Sequence, residues 1–170
     1  MRPAEGILDN IILDKLFKRV KKNGGKFSFR KVESKNKVYE ANITLFDALK
    51  RTDFDKDGIF AVERYIAAHS ILLALEGVPA IYFNSLFGTS NDQNAFIKTG
   101  IKRNINRFKW EFSDLSKKLK NKNSLENIIY SKILKIISLR QKQIAFHPNA
   151  TQYTLTLGNK LFGLWRQSID

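Results

Sequence analysis

Cysteine is absent from all 170 residues. Its absence excludes disulfide scaffolds, thiol nucleophiles and thiolate zinc sites, and it suits a reducing compartment such as the cytoplasm. Histidine occurs only at His69 and His147. With no cysteine partner and no serine elbow nearby, each reads as structural rather than catalytic. No apolar run approaches the ~18 to 20 residues a membrane span needs. The opening MRPAEGILDN lacks the uninterrupted apolar stretch of a signal peptide. There is no phosphate loop and no dinucleotide fingerprint, since Gly24-Gly25 alone is too little for either. These absences point to a soluble cytoplasmic protein with no cofactor, no metal and no membrane partner.

Acid is scarce as well: 16 Asp and Glu stand against 30 Lys and Arg, a formal net charge of +14. Such a balance invites a nucleic-acid reading, but its make-up argues against one. The cations are 21 Lys and 9 Arg, alongside 14 Asn and 18 Ile. Arginine makes the bidentate contacts that dominate base and phosphate recognition, whereas lysine is a hydrated point charge. The lysines follow no single motif and read as a solvated surface. A small basic module binding RNA or an acidic partner stands as the alternative function.

What is present is enough for a core. Hydrophobic residues make up 43% and aromatics 12%, too rich for a disordered chain. Residues 7–22 place Ile7, Leu8, Ile11, Ile12, Leu16 and Val20 at helical spacing, and Asn23-Gly24-Gly25 supplies a stop. The lysine-rich stretch 26–37 reads as a long loop or hairpin, and a short helix is expected around 45–49. Residues 59–76 form a long apolar helix ended by Gly77. Val78-Pro79-Ala80-Ile81-Tyr82-Phe83 follows as a continuous apolar run, the pattern of a fully buried strand. Helix, tight turn and buried strand predict an α/β unit of a parallel sheet or barrel. Residues 87–107 read as loop and short helix. Helical spacing returns over 123–144, opened by Asn123 or Ser124, and residues 152–157 and 161–166 alternate as a hairpin about Gly158-Asn159.

Asp53-Phe54-Asp55-Lys56-Asp57-Gly58 imitates the first half of a calcium loop. The twelfth position, which needs a bidentate Glu, is Arg64, and Glu63 falls one residue early. The better expectation is an acidic cap for the next helix. Chemistry on an acetal needs two carboxylates about 5 to 10 Å apart, yet no acid stands at the end of a convincing buried strand. Read from its residues alone, the chain holds no complete active site.

The segments RPAEGIL, YEANIT, EGVPAIYFNSLFG, KTGIKRNINR and RQKQIAFHP, in this order and spacing, resemble the sucrose phosphorylase branch of glycoside hydrolase family 13. The similarity spans nearly the whole chain, and its nearest members act on sucrose, sucrose 6-phosphate or glucosylglycerate. It implies the C-terminal portion of a (β/α)8 TIM barrel: the loop after strand 7, helix 7 at 59–76, strand 8 at 79–83 and helix 8 at 123–144. Residues 1–149 would be barrel, and 150–170 the first strands of a C-terminal β domain. It also implies a retaining enzyme that transfers glucose from a glucoside donor to phosphate through a covalent intermediate. The family's three catalytic carboxylates would all lie upstream of Met1, so this chain alone should be inactive unless a separately encoded N-terminal half completes it. By the same resemblance, Tyr39 and Glu40 match a mobile acceptor loop and Arg103 an arginine that holds donor glucose and phosphate. Asn42, Asn104 and Arg107 share those motifs as further substrate-binding candidates. Lys37 replaces the Asp of some sucrose phosphorylases, which favours an anionic acceptor.

Overall fold

The computed structural model describes residues 4 and 6–169. Met1, Arg2, Pro3, Glu5 and Asp170 lie outside the described residues, and with them three of the seven residues of the RPAEGIL motif. The chain begins with α1 (Asn10–Lys22), where Asp9 accepts a hydrogen bond from the Ile12 N–H at 2.8 Å and Arg19, Lys21 and Lys22 crowd the C-terminal turn. Both features favour the helix dipole. The lysine-rich stretch then forms an antiparallel hairpin, β1 (Lys26–Val32) and β2 (Lys35–Asn42). Its turn residues Glu33 and Ser34 both take positive φ, 47° and 66°. Thr44 caps the short α2 (Leu45–Lys50).

The core forms where α3 (Ala61–Ala74) crosses α6 (Leu125–Lys142). Phe46, Ala61, Tyr65, Ile129 and Ile133 are buried together, with Leu49, Val62, Ile66, Leu86 and Ile137 packed around them. Ser124 caps α6 by accepting from the Asn127 N–H. Between these helices run a 3-10 turn at Phe83–Phe87, α4 (Gln93–Thr99) and a second 3-10 turn at Lys102–Asn106. Then comes α5 (Phe112–Lys120), which the sequence reading left unassigned. Ser124 Oγ and Asn127 Nδ2 donate to the Lys118 and Leu119 carbonyls, closing α5 onto the start of α6. The hairpin of β3 (Thr151–Leu155) and β4 (Gly163–Gln167) follows α6. Arg166 holds it down by donating to the His147 and Ala150 carbonyls.

The expected buried strand is not formed. The apolar run 78–83 belongs to no sheet, its last residue Phe83 already opens the 3-10 turn, and the described residues contain only two separate two-stranded sheets. Val78, Tyr82 and Phe83 are exposed, at 82%, 55% and 54%. A central parallel strand is an outcome of neighbours on both sides, and no described strand lies beside this one. Ile81 alone reaches the core.

The aspartates do not cap α3 itself as expected: its N-cap is Phe60, with no side-chain cap hydrogen bond, and Asp55 closes the turn before it instead. Both oxygens of Asp55 are engaged, accepting from the N–H groups of Gly58, Ile59 and Phe60, each at 2.9 Å, where the chain enters α3. Arg64 completes the arrangement at 2.8 Å from Asp55 while donating to the Leu49 and Lys50 carbonyls. A cation thus occupies the place a calcium ligand would need. No metal-holding group of acids or histidines exists among the described residues.

Candidate functional site

Two segments far apart in sequence build the site. In the β1–β2 register Ser28 faces Glu40 and Phe29 faces Val38, so Tyr39 is the extra residue of a β-bulge. A bulge bends its strand and re-aims a side chain. Tyr39 is thereby left 39% exposed, with the Arg30 guanidinium 5.8 Å from its ring centre. The second segment is the 3-10 turn at Lys102–Asn106. Arg103 Nε donates to Glu40 Oε2 at 3.1 Å, a contact across 63 residues of chain. Beside it, Lys102 Nζ stands 5.6 Å from the Phe29 ring centre.

The remaining candidates divide. Asn42 is 1% exposed and donates to Ser28 Oγ at 3.0 Å, which locks the base of the hairpin. Asn104 donates to Thr99 Oγ1 at 2.9 Å and ties its turn to the end of α4. Both are supports. Arg107 is exposed, and its side chain joins no hydrogen bond or ion pair among the described residues. Of the six candidates, only Glu40 and Arg103 are brought into direct contact.

Three residues that the sequence reading missed hold the two segments in place. Asn91 Oδ1 accepts from the Thr44 N–H at 2.8 Å, while its Nδ2 donates to the Asn23 carbonyl. Gln93 donates to the Gly24 carbonyl, and the Asp92 N–H reaches the Ile105 carbonyl at 2.7 Å. Polar residues just before a short helix were the available signal.

Electrostatics limit what this chain can do. Several carboxylates are committed to structure: Asp9 and Asp92 cap helices, Asp55 closes the turn before α3, Asp47 accepts from the Asn91 N–H, and Glu126 pairs with Lys118. Hydrogen bonds from the Phe60 N–H, then Arg64 and the neighbouring amides, outweigh desolvation and hold Asp55 down at about 2. His69 is buried against Tyr65, with Nδ1 2.9 Å from that residue's carbonyl oxygen. Burial pushes the Tyr65 hydroxyl up to about 12 while it donates to the Ser85 carbonyl. Arg103, 51% exposed and paired with Glu40, presents a guanidinium suited to an oxyanion.

The described residues form helices packed beside two short hairpins, with an exposed arginine–glutamate pair joining two loops. The fold agrees with that of a sucrose 6F-phosphate phosphorylase from Thermoanaerobacter thermosaccharolyticum, at TM-score 0.71 and 22% identity over 89% of this chain and 27% of that one. Glucosylglycerate phosphorylases are similar in sequence: 31% identical over 99% of this chain in Spirochaeta thermophila, and 34% over 90% in Allomeiothermus silvanus. A sucrose phosphorylase of Agrobacterium vitis is 30% identical over 65% of the chain. The chain spans about 28% of the length of the glucosylglycerate phosphorylases it matches. No protein-family profile matches it. By these relationships the chain belongs to the sucrose phosphorylase branch of glycoside hydrolase family 13, as a C-terminal segment of that kind of protein.

Proposed function

We propose that the chain is the acceptor- and anion-handling portion of a retaining glucoside phosphorylase, working only together with the part of the (β/α)8 barrel that carries the catalytic carboxylates. In this reading Tyr39 and Glu40 approach the acceptor and Arg103 grips phosphate or the donor glucose. Asn42 and Asn104 brace the two loops, and Arg107 offers a second cation. The donor is a glucoside, phosphate is the co-substrate, and glucose 1-phosphate is the product. Among the acceptors named by the relatives, glycerate fits best, because it is anionic and Lys37, Lys102 and Arg103 are all cations. Residues 1–149 act as barrel, and 150–170 begin a β domain with the β3–β4 hairpin.

The observation that carries the reading is the Arg103–Glu40 contact, which joins the YEANIT and KRNINR motifs as a shared site requires. A groove of about 760 Å³, lined mainly by apolar residues such as Leu73, Val78, Ile81, Ile137 and Ile144 but also by Arg140, Lys142 and His147, supports it as a surface against which a further piece of barrel could pack. The test is complementation. The purified chain should release no glucose 1-phosphate from sucrose or glucosylglycerate with phosphate. Mixed with the remainder of a glucosylglycerate phosphorylase lacking its matching segment, it should restore turnover, and Arg103→Gln should abolish the gain. Activity from the chain alone, or no gain on mixing, would overturn the reading.

A further inference from the structure

We propose that α1 and the loop leading into α3 form a peripheral docking surface for a membrane rich in anionic phospholipid. The sequence points to no membrane partner, and no helix among the described residues is long and apolar enough to cross a bilayer. Resting on one needs no crossing, only cations for the headgroups and a few apolar anchors for the acyl boundary. Ile11, Lys15, Lys18 and Lys22 follow at intervals of four, three and four along α1, so they lie on one stripe. All four are exposed, whereas Val20, on the far side of the helix, is buried. Arg19 borders the stripe and pairs with Asp53, which fastens the loop to the helix. A groove of about 530 Å³ opens there, lined by Ile12 and Leu16 as well as by these cations.

Chemistry selects the occupant. Ile7, Ile11 and Ile12 are exposed, and Phe54 on the loop is fully so, at 103%. Apolar side chains left in water among cations are mismatched to a phosphodiester backbone but suit the boundary between headgroups and acyl chains. Lysine suits that boundary too: its stem lies along apolar surface while the ammonium reaches a headgroup phosphate. The centre of a protein–protein interface, the contact with a further barrel piece included, is by contrast depleted of lysine. Charge is complementary as well. Asp53 is engaged by Arg19, and the exposed acids Asp14 and Asp57 are outnumbered by Lys15, Lys18, Lys22 and Lys56. The surface shares no lining residue with the groove at Val78 and Ile144, so the two can be tested apart.

The experiment is flotation of the full chain, at low-micromolar concentration, with vesicles of phosphatidylcholine alone or of phosphatidylcholine mixed with phosphatidylserine. The chain should float with the mixed vesicles and not with the neutral ones, and raising salt from about 0.1 to about 0.5 M should release it. Lys15→Gln, Lys18→Gln and Lys22→Gln together should weaken binding at least tenfold. Lys117→Gln, Lys120→Gln and Lys122→Gln remove the same charge from exposed sites elsewhere and should change it less than twofold. Ile11→Ser with Phe54→Ser leaves the charge intact and should weaken binding at least threefold. All these positions are exposed, and matching melting curves check that each variant remains folded. Equal effects of the two lysine triples would mean adsorption by net charge alone and would overturn the proposal. So would binding to neutral vesicles, no binding to either kind, or indifference to the Ile11 and Phe54 changes. That indifference, with tight retention of an RNA homopolymer, would assign the cations to nucleic acid instead.

Discussion

Asp55 shows how one side chain can serve both local geometry and solution behaviour. Its two oxygens gather three backbone N–H groups and Arg64, and its side chain is only 10% exposed. The usual value of 3.8 is lowered to about 2, with the Phe60 N–H as the largest cause. A depressed carboxylate contributes stability above its unfolded value and loses it as pH falls toward its folded one. The contribution of Asp55 is therefore complete above about pH 4 and fades between about 4 and 2. Asp55→Asn should lower the thermal midpoint at pH 7 and flatten its fall across that acid window. Parallel melts at pH 7, 4, 3 and 2 check this, and an unchanged acid slope would contradict it. Calcium could be set aside from the sequence because Arg64 falls where a calcium loop needs its acid. That Asp55 would close the turn ahead of α3 rather than cap the helix could not be read, since that depends on the path of the chain from Thr52 to Phe60.

At the scale of elements, periodicity carried the reading as far as it could. The helices at 61–74 and 125–142 bury residues spaced by four, so their faces are written locally, whereas α1 buries only Val20 and leaves Ile11 and Ile12 exposed. The segment 112–120 is short and buries only Leu115, and its polar capping partners lie in the next helix, which left little local signal. The β1–β2 hairpin was half legible for a different reason. Positive φ at both Glu33 and Ser34 is the geometry of a tight hairpin turn, normally written Asn-Gly. Neither Glu nor Ser advertises it, and a side chain in that region costs ~1 to 2 kcal/mol per residue. Replacing the pair by Asn-Gly should stabilise the chain by about 1 kcal/mol, after the greater unfolded-state freedom of glycine is subtracted. Chemical denaturation would read the gain, and a loss would show that the turn side chains make contacts worth keeping. The site depends on the same hairpin: its motifs could be named from sequence, but the bulge that turns Tyr39 outward could not.

Arg140 belongs to this scale too, because it joins two elements end to side. From α6 its guanidinium donates to the carbonyl of Leu73, in the last turn of α3, and to those of Leu75 and Gly77 just beyond it. Burial, with Arg166 nearby, lowers its pKa, and the Phe146 ring lies 5.6 Å from its guanidinium carbon. Arg140→Ala would orphan those carbonyls. Hydrogen bonds to a charged donor contribute ~1.5 to 3 kcal/mol each in favourable settings. The three share one half-buried side chain, so the expected loss is about 2 to 3 kcal/mol in total. Amide exchange should quicken first at Gly77, whose N–H reaches the Pro148 carbonyl. A loss confined to global stability, with Gly77 no faster than its neighbours, would contradict the clamp.

For the whole molecule, the decisive fact is how much apolar surface lies open. The segment from Val78 to Tyr82 pairs with no strand, and beside it Ile144 is 66% exposed along the same groove. A length that reads as one basic domain thus carries a core made by two crossing helices and an unpartnered apolar flank. An unpaired stretch with exposed large side chains is a template for association. The chain by itself should therefore self-associate at concentrations on the order of tens of micromolar. Sedimentation velocity across a dilution series would reveal it as a falling mean sedimentation coefficient. Val78→Lys with Ile144→Lys places two charges on the groove without touching the core cluster, and should keep the chain monomeric over that range. The same pair should also abolish the complementation proposed above, because one surface serves both contacts. If the double variant still self-associates but no longer complements, the groove is the barrel contact and the association surface lies elsewhere. If it complements normally, the flank from Val78 to Ile144 is not where the rest of the barrel docks.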